Sequence, residues 1–520
     1  DTLVVTTDVF EDFVDTNQLD VSSRTTMSDE DIAARFLAGH LPEKIHAALR
    51  AFITRTDCPL AVRSSSLLED SQSRPYAGIY KTYMLPNNQK PPEERLDALI
   101  KAVKLVMAST FFEEPLALAA RTLQKPDEEK MAVIIQRLIG RQYDDLFFPA
   151  ISGVAQSYNY YPMGPMKPED GIVNIAVGLG KSVVDGERSL RFCPRYPQQL
   201  PQFSIIEDIL ENAQRDFYGL KLTHDGGGEA IPIESYVEKR DVMDIDDPEL
   251  MRLVASTYMP DEGRIKDTVM AGGNPVVTFA SILKYGAIPL PEILSDIMEI
   301  GQQGMDCAVD VEFSVNLPKG RDGAAELAIL QIRPMASRGE LASVNLHPEE
   351  TKRAFCYSEN ALGNGISRDL TDIIYVKPSD FDASKTVEIA SEISRMNAEL
   401  AKENRKYILI GPGRWGSADH WLGIPVRWAD ISGAAVIVET THESFNTDPS
   451  QGSHFFHNMT SLGMNYLNIT KGSRDFIEPS WFNSRPVMRV TRYLSHIRLN
   501  RPVVVKVDGR HSTGIILDSR

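Results

Sequence analysis

Four side chains between residues 305 and 335 have the types and spacing to handle a metal-bound polyphosphate. Met305 to Met335 reads MDCAVDVEFSVNLPKGRDGAAELAILQIRPM, two alternating runs around a polar turn rich in Gly and Asp. The alternation predicts a hairpin whose inward faces carry Asp310, Glu312, Gln331 and Arg333. Carboxylate oxygen suits a hard divalent cation, and a neighbouring guanidinium offsets phosphate charge.

A second phosphate-suited group lies far upstream. The short apolar run Leu60 to Val62 delivers Arg63 into Ser64, Ser65 and Ser66, followed by Glu69 and Asp70. A guanidinium donates in a planar fork and Ser hydroxyls rotate to fit an anion. The competing reading is a surface arginine paired with Glu69 or Asp70.

Gly178 to Ser182, GLGKS, has the look of a phosphate-binding loop, but that motif needs glycine at position 175, where the chain has Ile175. What survives is a glycine turn whose backbone can approach a phosphate, with Lys181 as charge partner, or simply a turn that ends a strand.

Lys406 to Ser417, KYILIGPGRWGS, places Gly411, Gly413 and Gly416 in a formal GxGxxG, and AAVIVE ends on Glu439. A dinucleotide site with Glu439 on a ribose fits that spacing, but Gly423 and Pro425 interrupt the crossover helix it needs. Anion binding by Gly413 and Arg414, or a purely structural turn, are the other readings. Ser450 to Ser453 predict a helix start with His454 in its first turn, where backbone N–H groups attract anions. A phosphorylated His454 is one reading, a histidine satisfied by ordinary hydrogen bonds the other.

The positioning elements follow from periodicity. Ser28 and Asp31 form a capping box, Pro91 to Leu123 read as two helices, and Met131 to Gln136 as a buried strand. The strands that follow, to about residue 192, predict a mixed sheet. Ile389, Ile393, Met396 and Leu400 make a helical stripe, and PVVVKV, a DG turn and GIIL predict a closing hairpin whose basic residues form a solvated edge. A polar stretch after Met335 predicts a boundary: a domain over 1–338, a linker over 339–350 and a smaller α/β domain over 351–520.

At 520 residues, 42% hydrophobic and 24% charged, the chain has apolar material for two or three cores. A formal charge of −17 argues against a dedicated nucleic-acid surface. No apolar run reaches the roughly 18 residues that span a bilayer, so neither membrane nor nucleic acid is expected as a partner. Cys58, Cys193, Cys307 and Cys356 show no CxxC spacing, which suggests free thiols and a cytoplasmic setting.

AVRSSSLLEDS, QRLI after a strand, AVGLGKSVVDGE, VDVEF and LQIRPM occur in the order found in the ATP-binding domain of the pyruvate phosphate dikinase and phosphoenolpyruvate synthase family, which the chain resembles over roughly residues 1 to 338. The resemblance implies an α+β fold with an ATP-grasp clamp of two lobes around Mg-ATP, passing phosphoryl groups to a histidine on a separate carrier domain. Arg63 then resembles the arginine on the transferred phosphates, with Arg333 beside it. Glu312 and Gln331, with Asp310, resemble the Mg-ATP set, Gln136 the position near adenine, and Gly178 to Gly180 the glycine turn.

The family's opening glycine turn and lysine lie ahead of the segment that LVVTT resembles, and the chain begins after them. Its carrier motif and pyruvate barrel are not recognisable, and His420 lies too close to GIPV to supply the former. An ATP-dependent phosphotransferase acting on a histidine carrier, a partner chain or another acceptor is the leading expectation, and a homo-oligomer is compatible with it. The alternative is a nucleotide-binding regulatory or assembly protein that has lost transfer.

Overall fold

The computed structural model describes residues 2–19, 27–69, 76–122, 129–200, 203, 205–222, 232–317, 324–335, 344–441, 451–470 and 474–519. Asp70, Ser450, most of the 305–335 turn and part of the 339–350 linker lie outside the described residues. The chain divides into two compact units, one of 1–184 and 188–335, the other of 185–187 and 336–520.

Helices and sheets mix in the first unit. A four-stranded antiparallel sheet runs in the order Thr2–Val5, Met131–Arg137, Leu60–Ser66, Tyr83–Leu85. In Leu60–Ser66, Leu60, Val62, Ser64 and Ser66 are buried and alternate with half-buried Ala61, Arg63 and Ser65. The period of two thus sends Arg63 to the opposite face from the core valine. Helix Asp29–Ala38 is capped by Ser28, whose Oγ accepts from the Asp31 N–H at 3.2 Å. The Asp31 carboxylate accepts from Ser28 Oγ at 3.0 Å and not from the Ser28 N–H, so only half of the expected capping box forms.

A five-stranded sheet carries the 305–335 hairpin in the order Glu326–Pro334, Val309–Asn316, Ile151–Gln156, Ile172–Ala176, Leu190–Phe192. Every pairing in it is antiparallel, so the mixed sheet expected from short connections is not formed. Two-residue and tight turns suffice to join antiparallel neighbours, whereas parallel ones need long crossovers. Val309, Val311, Phe313 and Val315 fill the core on one face.

In the second unit one ten-stranded sheet has four parallel strands at its centre, Gly365–Val376, Tyr407–Pro412, Ala434–Thr440 and Asn465–Ile469. Helix Thr386–Lys402 buries the stripe Ile389, Ile393, Met396 and Leu400. The closing hairpin pairs Leu494–Asp508 with Thr513–Asp518. Its basic residues are not all a solvated edge. Lys506 is buried on Glu350 at 2.6 Å, and buried His496 and half-buried Arg498 both reach Asp372, at 2.7 and 2.8 Å. A buried carboxylate demands such partners, and periodicity alone cannot show where it will sit.

Candidate functional site

Strand register assembles the predicted hairpin group. Asp310 lies opposite Arg333 and Glu312 opposite Gln331, with a bulge after Glu312 that leaves Leu330 as the extra residue. Arg333 donates to Glu312 Oε1 at 2.6 Å and stands 3.6 Å from Asp310 Oδ1. Gln156, from the next strand, donates to Asp310 Oδ2 at 2.9 Å.

Arg63 joins this group from the other sheet, its guanidinium donating to the Gln331 amide oxygen. Arg63 pairs with Gln331 rather than with Glu69. Glu69 instead accepts from Ser64 Oγ at 2.7 Å, and its own N–H donates to Ser66 Oγ at 3.2 Å. Burial opposes the Arg333 charge, but Glu312, Asp310 and Glu69 outweigh that cost and hold its pKa above the ordinary guanidinium value. Two sheets far apart in sequence therefore converge on alternating plus and minus charges.

The Arg333 side chain is only 4% exposed and that of Asp310 3%, while Glu312 keeps 17%. Glu312 and Gln331 are thus the oxygen donors nearer the surface, with Asp310 behind them. Two carboxylates and an amide oxygen are hard donors of the kind Mg2+ prefers, so the residues fit that ion. Among the described residues no three His, Cys, Asp or Glu side chains group into a metal site.

Of the remaining candidates of the first unit, Gln136 shares the Arg63 face of its sheet, two residues along in register, while the glycine turn stands apart from the charged group. Gln136 is half-buried in the four-stranded sheet, opposite Ala61 and Thr2. Gly178 has φ +88°, and a Cβ there would stand 2.7 Å from the Tyr218 carbonyl oxygen. The turn packs onto strand Asp216–Lys221, with Leu179 N–H donating to that same carbonyl at 2.9 Å. Lys181 lies over the Tyr218 ring at 5.5 Å. A Cβ at Gly180 would meet only Ser152 Cβ at 3.7 Å. Ala176 lies opposite Ser152, and Ser152 opposite Ser314. The turn therefore leaves the sheet about 13 Å along from Asp310, at ~3.3 Å per residue.

In the second unit two of the three GPGRWGS glycines have a packing explanation. A Cβ at Gly411 would stand 2.8 Å from the Trp415 ring, and one at Gly416 (φ +73°) 2.2 Å from the Phe455 ring. Strand Arg414–Trp415 pairs in parallel with Gly423–Ile424, so a strand follows the turn where a dinucleotide site needs a helix. Glu439 is buried and accepts from Trp415 N–H at 3.0 Å and from Tyr466 Oη at 2.5 Å, so both its oxygens are already used within the protein. Those contacts overturn the dinucleotide reading. Burial pushes the Glu439 pKa up to about 7 despite both hydrogen bonds. Arg414 donates to the Gly186 carbonyl at 3.1 Å, within the same unit.

His454 is the first residue of helix His454–Ser461, and Ser453 Oγ caps it by accepting from Phe456 N–H at 3.2 Å. His420 accepts from Thr386 through its carbonyl at 2.8 Å, while its ring lies 4.8 Å from that of Trp421. Gln156 was missed in the sequence because its strand reads as apolar core. A polar residue closing a buried run was the available signal.

The first unit defines a class, an α+β domain with facing cations and carboxylates. Residues 1–354 match the family model described as pyruvate phosphate dikinase, AMP/ATP-binding domain, and the chain belongs to that family. Membership makes it a kinase-family protein with a domain that binds ATP or AMP. No curated protein matches the chain. No helix among the described residues is long and apolar enough to cross a membrane.

Proposed function

We propose that the chain is a Mg-ATP-dependent phosphotransferase of the dikinase type, with an ATP-grasp clamp in residues 1–338 that passes a phosphoryl group to a histidine carrier or another acceptor. The linker 339–350 would join that clamp to the domain 351–520. The observation that carries this reading is the convergence of Arg63 and Gln331 from one sheet interface with Arg333, Glu312 and Asp310.

In this reading Glu312 and Gln331, backed by Asp310, hold Mg2+, which supplies charge neutralisation on the phosphates when bound. Arg63 exchanges its Gln331 contact for phosphate oxygen, and its planar fork orients the transferred group. Arg333, held by Asp310, keeps Glu312 in place and adds positive field where negative charge spreads. Gln136 serves the adenine, and Gly178, Gly180 and Lys181 serve the phosphate tail. His454 is the chain's own candidate acceptor, a partner chain's histidine the other.

One observation favours a second reading. Arg63 and Arg333 are both engaged within the cluster, by Gln331 and by Glu312, which suits a regulatory nucleotide binder that holds ATP without transfer. Incubation with ATP labelled at the β and γ positions separates the two. Acid-labile label on the protein, or release of AMP, supports transfer. ATP binding with neither supports the regulator, and no ATP binding at all would sink both.

A further inference from the structure

The second unit holds an open groove of about 800 Å³, lined among others by His347, Tyr357, Arg474, Asp508, His511 and Thr513. None of these residues enters the nucleotide reading. The groove sits at the turn of the closing hairpin, where Asp508 lies opposite Thr513.

That turn is fixed more firmly than a surface hairpin needs. Ser512 takes a left-handed backbone at φ +53°, a region that costs a non-glycine residue about 1 kcal/mol or more. It is held by Ala361 N–H donating to the Ser512 carbonyl at 2.7 Å and Gly509 N–H donating to Asn364 Oδ1 at 3.0 Å. Such over-determined strain points toward a site.

What the turn presents is a carboxylate-oriented imidazole. Buried Asp508 accepts from Arg510 N–H at 3.1 Å through one oxygen and meets His511 Nδ1 at 2.6 Å through the other. The His511 side chain is nonetheless 76% exposed, so its orientation contributes little to core packing. With Nδ1 taken, Nε2 is the nitrogen left for a ligand.

The surroundings select an anion. Arg474 is 87% exposed, with only a 3.8 Å approach from Glu359, and His347 is exposed on the opposite segment. Three basic side chains lie with two carboxylates, Asp508 and the Glu359 that accepts from Tyr357 Oη at 3.3 Å, in a chain whose formal charge is −17. A phosphate monoester brings close to two charges and three acceptor oxygens, which suit the Arg474 guanidinium and the imidazolium form of His511, whose Nε2–H can donate. Tyr357, stacked on Phe476 at 5.8 Å, offers a flat wall for a ring body, and Thr513 a hydroxyl partner. The histidines do not build a metal centre, since no three such ligands group among the described residues.

We propose that this groove binds a small phosphomonoester, a sugar phosphate in class, with its phosphate on Arg474 and on His511 held by Asp508. The proposal is independent of the ATP reading, whose residues lie elsewhere in the chain. Calorimetric titration of the full chain with glucose 6-phosphate, inorganic phosphate and glucose tests it. Saturable binding of the phosphate compounds but not glucose is expected, weakened about tenfold or more by Arg474→Ala and by His511→Ala. Equal affinity for inorganic phosphate supports the phosphate contacts and assigns no part to the ring. Because both side chains are exposed, the variants should fold and bind ATP as the wild type does, whatever that affinity is. Asp508→Asn should weaken binding less than His511→Ala. Absence of saturable binding, or binding that neither Arg474→Ala nor His511→Ala changes, would overturn the assignment.

Discussion

Arg333 donates to Glu312 at 2.6 Å from a side chain that is only 4% exposed. Removing one member of a buried ion pair leaves the other charge unmatched, at a cost of about 3–5 kcal/mol. Glu312→Ala should therefore lower the stability of the first unit by an amount near the bottom of that range, because Asp310 still faces the guanidinium. Arg333→Met, which removes the cation, should also release Asp310 and Glu312 to repel each other. Urea unfolding measures both, and a loss below about 1 kcal/mol for Glu312→Ala would mean the pair is not closed in solution.

Arg63 reaches the hairpin through Gln331, and its side chain is half-buried. Arg63→Lys keeps the charge and removes the planar fork. ATP affinity should fall by about tenfold or more if the fork holds phosphate, while the urea midpoint moves little. Unchanged affinity in equilibrium dialysis would take Arg63 out of the nucleotide site.

The two glycines of the 178–180 turn should respond differently to alanine. At Gly178 the backbone is left-handed and a Cβ would meet the Tyr218 carbonyl oxygen at 2.7 Å, whereas at Gly180 the nearest atom is 3.7 Å away. Gly178→Ala should cost about 2 kcal/mol or more, the sum of strain and a displaced strand, and Gly180→Ala well under 1 kcal/mol. Thermal melts compare them directly. Equal losses would show that the turn is held by something other than its approach to Tyr218.

The hairpin and its four polar residues were legible because a period of two fixes which side chains share a face, and composition then fixes their chemistry. The contact of Arg63 with Gln331 was not, since it joins residues 268 positions apart and depends on how two sheets meet. GxGxxG left several readings open for a related reason. Glycine marks close approach of any kind, and at Gly411 and Gly416 the approaching groups are the rings of Trp415 and Phe455. Asp372 illustrates the remaining gap: nothing local in TDIIYV foretells that His496, Arg498 and Arg405 will converge on it.

Glu439 gives the second unit a pH dependence whose sign can be worked out. Burial raises its folded pKa to about 7 from the ordinary carboxyl value of 4.5, so between those values the folded state holds a proton that the unfolded chain has lost. Stability then falls as pH rises through that window and is flat in this group's contribution above and below it. The full span is on the order of 3 kcal/mol. Glu439→Gln keeps an acceptor for Trp415 N–H, places an amide N–H against Tyr466 Oη so that the hydroxyl becomes the acceptor, and cannot ionise. Other groups titrate in both proteins, so the informative quantity is the difference in unfolding free energy between variant and wild type at each pH. That difference should grow in favour of the variant from pH 5 to pH 8 by on the order of 2–3 kcal/mol. A difference that is constant across the range would show that Glu439 is ionised at both ends, and therefore that water reaches it.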